Sequence, residues 1–137
     1  MNVLVDTTVW SLALRRRPEK LSSSEEDLMV EWESLAITGR AVLVGPIRQE
    51  VLSGIREEKV FTALQARLSE FRSLEVLPGD YDQAARFFNV CRARGITGTS
   101  IDLLLCATAF RYDVPIFTTD PDFPQYARHV PIRLHSV

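Results

Sequence analysis

Short apolar runs, spaced by longer stretches of helical period, most limit what this chain can become. Asn2-Val3-Leu4-Val5, Ala41-Val42-Leu43-Val44, Leu74-Glu75-Val76-Leu77 and Pro115-Ile116-Phe117-Thr118 are each strand-length and mostly rich in β-branched residues. Strands of this kind are buried on both faces, as happens in a parallel sheet covered by helices. The intervening segments supply those helices. The pattern predicts helices over Thr8–Arg16, from the capping-box run Ser22-Ser23-Ser24-Glu25 to about Gly39, after Gly45-Pro46, and over Glu57–Ser73, Asp80–Arg94, Thr99–Tyr112 and Pro121–Arg128. Pro131–Leu134 reads as a final edge strand. The expected fold is one α/β domain over 1–137, with about five strands, mostly parallel, and helices on both faces.

Composition removes several function classes. With 46% hydrophobic and 25% charged residues the chain is that of a globular protein, and no apolar run is long enough to span a bilayer. No signal-peptide pattern opens it, so a cytoplasmic address is expected. The net charge of −2 means that any affinity for nucleic acid must come from a local patch. Cys91 and Cys106 have no metal-ligand spacing and fall in apolar helical patterns, as buried thiols do. His129 and His135 stand apart from any nucleophile motif, so histidine-based chemistry is not indicated.

The acids are more informative. Asp6 ends the first strand and Asp120 follows the fourth; Glu50 lies early in the helix after the second strand, and Asp102 in the first turn of a very apolar helix. Asp122 is two residues beyond Asp120. Each has a plainer use taken alone. Asp102 has capping-box spacing to Thr99, Asp120 precedes a proline as an N-cap does, Asp122 suits a first helical turn, and Glu50 could be solvated. Independent capping does not explain why all five would gather at the carboxyl edge of the strands, where open α/β sheets keep their sites.

Clustered carboxylates repel, and a divalent cation offsets that repulsion at neutral pH. Oxygen-only ligands select hard ions, Mg²⁺ or Mn²⁺ before Zn²⁺. The usual substrate ligand of such an ion is a phosphate, so phosphodiester hydrolysis is the reaction suggested. The hydroxyls of Thr8, Ser100 and Thr118 are placed to orient carboxylates or waters. Arg15, Arg16 and Arg48 are candidates for phosphate contacts around the acids, although the Arg15–Arg17 run also suits a solvated helix end. Two alternatives remain open: a phosphatase of the haloacid-dehalogenase type, which wants a second aspartate where this chain has Thr8, and a binding module without catalysis.

The blocks VLVDTTVW, PIRQEVLSG, SIDLLLCATA and PIFTTDPDF, in that order, resemble the four acidic blocks of the PIN-domain ribonucleases, particularly the VapC toxins of toxin–antitoxin pairs. The resemblance spans nearly the whole chain. It implies that Asp6, Glu50, Asp102 and Asp120 are the catalytic, metal-binding acids, with Asp122 an auxiliary one. It further implies Mg²⁺- or Mn²⁺-dependent endoribonuclease activity on RNA, a homodimer, and a VapB-like antitoxin as inhibitor.

Overall fold

The computed structural model describes residues 1–14 and 18–137; Arg15 and Arg16, expected to touch RNA, lie outside the described residues with Arg17. Four parallel strands, β1 (Val3–Val5), β2 (Ala41–Val44), β3 (Arg72–Leu74) and β4 (Ile116–Phe117), form a sheet in the order β3-β2-β1-β4. The register pairs Val3 with Ala41, Val44 with Leu74 and Val5 with Phe117. Every residue of β1, β2 and β4 is buried, as their apolar runs require. Around the sheet lie α1 (Thr7–Leu14), α2 (Ser23–Ile37), α3 (Gly45–Leu52), α4 (Glu58–Leu68), α5 (Pro78–Ala93), α6 (Ser100–Tyr112) and α7 (Asp122–Ala127). Among the described residues no helix is long and apolar enough to cross a membrane.

The strand order decides where a site can form. From β1 the chain steps outward to β2 and β3, then returns to the other side of β1 to lay down β4. Connections therefore leave β1 and β4 in opposite directions, which opens a crevice above their carboxyl ends. Asp6 directly follows β1, and Asp120 follows β4 by three residues.

Two expectations need correcting. The strand expected at Leu74–Leu77 instead covers Arg72–Leu74, and the helix before it ends at Leu68 rather than Ser73. β3 is an edge strand whose Arg72 and Ser73 are exposed while Leu74 alone is buried, so apolar content could not mark it. The final edge strand is reduced to a single bridge between Leu134 and Ile116, fastened by Ile116 N–H to Arg133 O at 2.9 Å and His135 N–H to Ile116 O at 2.8 Å. His135 Nε2 lies 3.0 Å from Glu31 Oε2, tying this segment to α2.

Local chemistry accounts for the helix ends. Ser22 caps α2 through a closed capping box, its hydroxyl accepting the Glu25 N–H while Glu25 accepts the Ser22 N–H. Pro46 and Pro78 sit in first turns, where a missing N–H costs nothing. Trp10 is fully buried, donates Nε1–H to Val5 O at 2.9 Å, and meets Trp32 and Phe71 at centroid distances of 5.9 and 4.8 Å. Edge-on pairs of this kind add about 0.5–1.5 kcal/mol each beyond their area burial. α5 packs along α6, and the pair is clamped by Arg111, whose Nε and Nη2 donate to the two oxygens of the buried Asp80 carboxylate at 2.6 and 2.9 Å. Cys91 and Cys106 are free and buried in the same layer.

Candidate metal centre

Asp102, Asp120 and Asp122 each bring a carboxylate oxygen within 4.8 Å of the others. They arrive from two elements. Asp102 is the third residue of α6, whose N-cap Thr99 accepts the Asp102 N–H at 3.0 Å. Asp120 lies between β4 and α7 and Asp122 opens α7, where Asp120 Oδ1 accepts the Asp122 N–H at 2.9 Å. The expected capping roles are thus partly real: Asp120 makes a local turn bond, but the N-cap of α7 is Pro121.

Asp6 adjoins this trio without belonging to its tightest group, and its charge raises the Asp102 carboxyl as that of Asp120 raises Asp6. Only 5% exposed, Asp6 accepts at Oδ2 from the Thr118 hydroxyl at 2.7 Å and the Thr8 hydroxyl at 3.2 Å. Burial pushes its carboxyl above the ordinary value, while hydrogen bonds from Thr118, Thr7 and Thr8 pull it down. Burial likewise raises Asp102, against bonds from Tyr126 and Thr99. Glu50, exposed on α3, joins through the Thr7 hydroxyl, which donates to Oε1 at 2.9 Å. Every one of Asp6, Glu50, Asp102 and Asp120 therefore has one oxygen held by a donor of the chain itself. This is the support that carboxylates at metal sites commonly have.

Thr8 and Thr118 both donate to the Asp6 carboxylate, and Thr8 also receives the Thr119 N–H at 3.1 Å. Thr8 stands where a dehalogenase-type phosphatase needs its second aspartate, and it serves Asp6 instead. Ser100 lines the groove between α5 and α6 with Tyr81 and Phe88, and its neighbour Thr99 takes the Asp102 N–H. Arg48 is engaged by Ser69, Nη2 to Oγ at 2.9 Å, so its guanidinium joins α3 to the end of α4. One site residue was not foreseen: Tyr126, fully buried on α7, donates its hydroxyl to Asp102 Oδ2 at 2.8 Å. A tyrosine on an apolar helical face gave no sequence signal beyond core packing.

All donors in this cluster are carboxylate or hydroxyl oxygens, with no imidazole or thiolate among the clustered residues, and such a set suits a hard divalent ion. An α/β sheet whose switch point carries acids from four separate segments defines a class of metal-type hydrolytic site. The PIN domain family model matches residues 3–129, and the chain belongs to that family. Within it, the chain is 30% identical over 92% of both lengths to ribonuclease VapC11 of Mycobacterium tuberculosis and to a VapC ribonuclease of Mycobacterium bovis. Its fold is similar to that of FitAcB from Neisseria gonorrhoeae, with a TM-score of 0.75, 20% identity and coverage of 98% of this chain and 96% of the other. VapBC2 of Rickettsia felis, solved with a promoter DNA fragment, gives 0.76 at 16% identity, with 98% of each chain covered.

Proposed function

We propose that this chain is an endoribonuclease of the VapC type, the toxin of a toxin–antitoxin pair, hydrolysing RNA phosphodiester bonds at the carboxylate cluster. The observation that carries this is the convergence of Asp6, Asp102, Asp120 and Asp122 at one crevice, with Glu50 joined through Thr7. Asp6, Glu50, Asp102 and Asp120, with Asp122, would hold Mg²⁺ or Mn²⁺. When bound, such an ion acidifies a water for in-line attack and neutralises charge on the phosphate oxygens.

The chain's own groups prepare that chemistry. Thr118 and Thr8 fix the Asp6 carboxylate at the bottom of the crevice, and Thr7 holds Glu50 toward it from α3. The acids repel phosphate until their charge is offset, so RNA has no productive place in the crevice without the cation. A cytoplasmic setting, a homodimer and a VapB-like antitoxin complete this reading.

The test is incubation of the purified protein with total RNA, with Mg²⁺ or Mn²⁺ and with chelator, beside Asp6→Asn. Cleavage that needs the ion and is lost in Asp6→Asn with its fold intact is the expected result. Cleavage that persists equally in chelator or in Asp6→Asn rejects the assignment.

A further inference from the structure

Asp102 occupies the third helical position after the N-cap Thr99, where an acid ordinarily turns back and accepts the N-cap backbone N–H to close a capping box. Two other helices of this chain do so: Glu25 accepts the Ser22 N–H at 3.0 Å, and Asp80 accepts the Leu77 N–H at 2.8 Å. At α6 only half the box is made, since Thr99 accepts from Asp102 but Asp102 does not accept from the Thr99 backbone.

The Asp102 carboxylate is held instead by Tyr126, whose hydroxyl donates to Oδ2 at 2.8 Å. Tyr126 is fully buried, packs edge-on against Phe123 at 5.3 Å, and has little room to move. Its space exists because residue 98 is glycine. A Cβ there would stand 3.0 Å from Tyr126 Cε1, 3.2 Å from its hydroxyl and 2.2 Å from Leu103 Cδ2.

We infer that Tyr126 is a positioning residue of the metal centre: its hydroxyl, bonded to Oδ2, holds the Asp102 carboxylate back from closing the capping box of α6 and keeps it turned toward Asp120 and Asp122. The inference rests on the cation site proposed above. Without the hydroxyl, Asp102 has an alternative partner in the Thr99 N–H, and closing the box withdraws it from the cluster. Helix α6 then stays capped while the site loses a ligand, so function and stability part company. A phenol that served only to fill the core would not separate them.

The test titrates Mn²⁺ into the purified full chain, as parent and as Tyr126→Phe, reading free ion by electron paramagnetic resonance, with thermal unfolding in chelator alongside. The Mn²⁺ dissociation constant of Tyr126→Phe is expected to rise about 10- to 100-fold, the size of effect seen when an outer partner of a metal ligand is removed. Its melting temperature in chelator should stay within a few degrees of the parent, and RNA cleavage should recover as Mn²⁺ is raised. Arg111→Met, destabilised but distant in role, should keep the parent's Mn²⁺ affinity.

Parent-like Mn²⁺ binding by Tyr126→Phe overturns the inference and leaves the nuclease assignment standing. A parent chain that binds no Mn²⁺ overturns both. Should Tyr126→Phe fail to fold, Gly98→Ala, which keeps the hydroxyl but crowds it, must show the weakened affinity; unchanged affinity there also overturns the inference.

Discussion

Asp120→Asn removes one negative charge from the centre while keeping a side-chain oxygen to accept the Asp122 N–H. The magnitude follows from spacing. At 4.8 Å, two unit charges repel by about 0.9 kcal/mol at a dielectric near 80 and about 3.5 kcal/mol near 20. Asp102 and Asp120 are half-buried, and Asp122 is exposed and better screened, so relief of roughly 1–2 kcal/mol is expected without metal. For a chain of this length that is a rise of about 3–8 °C in melting temperature. With Mg²⁺ the order reverses. The parent gains by mass action, about 2.7 kcal/mol at a hundredfold excess over its dissociation constant, and the variant forgoes most of that gain. Thermal unfolding of both chains in chelator and across a Mg²⁺ series measures the two effects. A variant less stable than the parent in chelator, or stabilised by Mg²⁺ as strongly as the parent, refutes the view that these carboxylates are held together against their repulsion for a cation.

Thr118→Val takes from Asp6 its shortest donor, the hydroxyl that opposes the effect of burial on the carboxyl. The carboxyl then rises further and stays protonated to higher pH, so cleavage at pH 7 should fall about 10- to 100-fold, with the acid limb of the pH–rate profile moved upward; an unmoved limb contradicts this. Arg111→Met leaves the Asp80 carboxylate, whose side chain is 2% exposed, without its partner. Breaking a buried pair costs roughly 3 kcal/mol at the lower end of the usual range, the guanidinium being partly solvated. Arg111 holds the Asp80 carboxyl below its ordinary value of 3.8, so the pair's contribution is present above that pH and lost as pH falls through the folded value. Urea unfolding should show the gap between parent and variant at neutral pH and its narrowing as pH falls below 3.8; a constant gap excludes the ion pair as its source.

The parts of the fold that local chemistry specifies were legible in the chain itself. β1, β2 and β4 are buried on both faces and so carry continuous apolar runs, and the closed box at Ser22 and Glu25 is written in two side chains. The position of each acid relative to its strand also followed, because a residue just past a parallel strand must stand at the carboxyl edge. β3 was misplaced because an edge strand with one buried side chain has no apolar run to display.

Tertiary structure alone decided how the acids divide their oxygens. Thr118 meets Asp6 across 112 residues, Thr7 meets Glu50 across 43, and Tyr126 meets Asp102 across 24. No periodicity encodes such pairs, since they arise only when β1, β4, α3, α6 and α7 are brought to one crevice by the strand order. Residue types and their order along the chain set which carboxylates reach the rim. Packing between elements sets which oxygen of each is held and which is offered, because a hydrogen bond depends on a few tenths of an ångström that only the assembled core supplies.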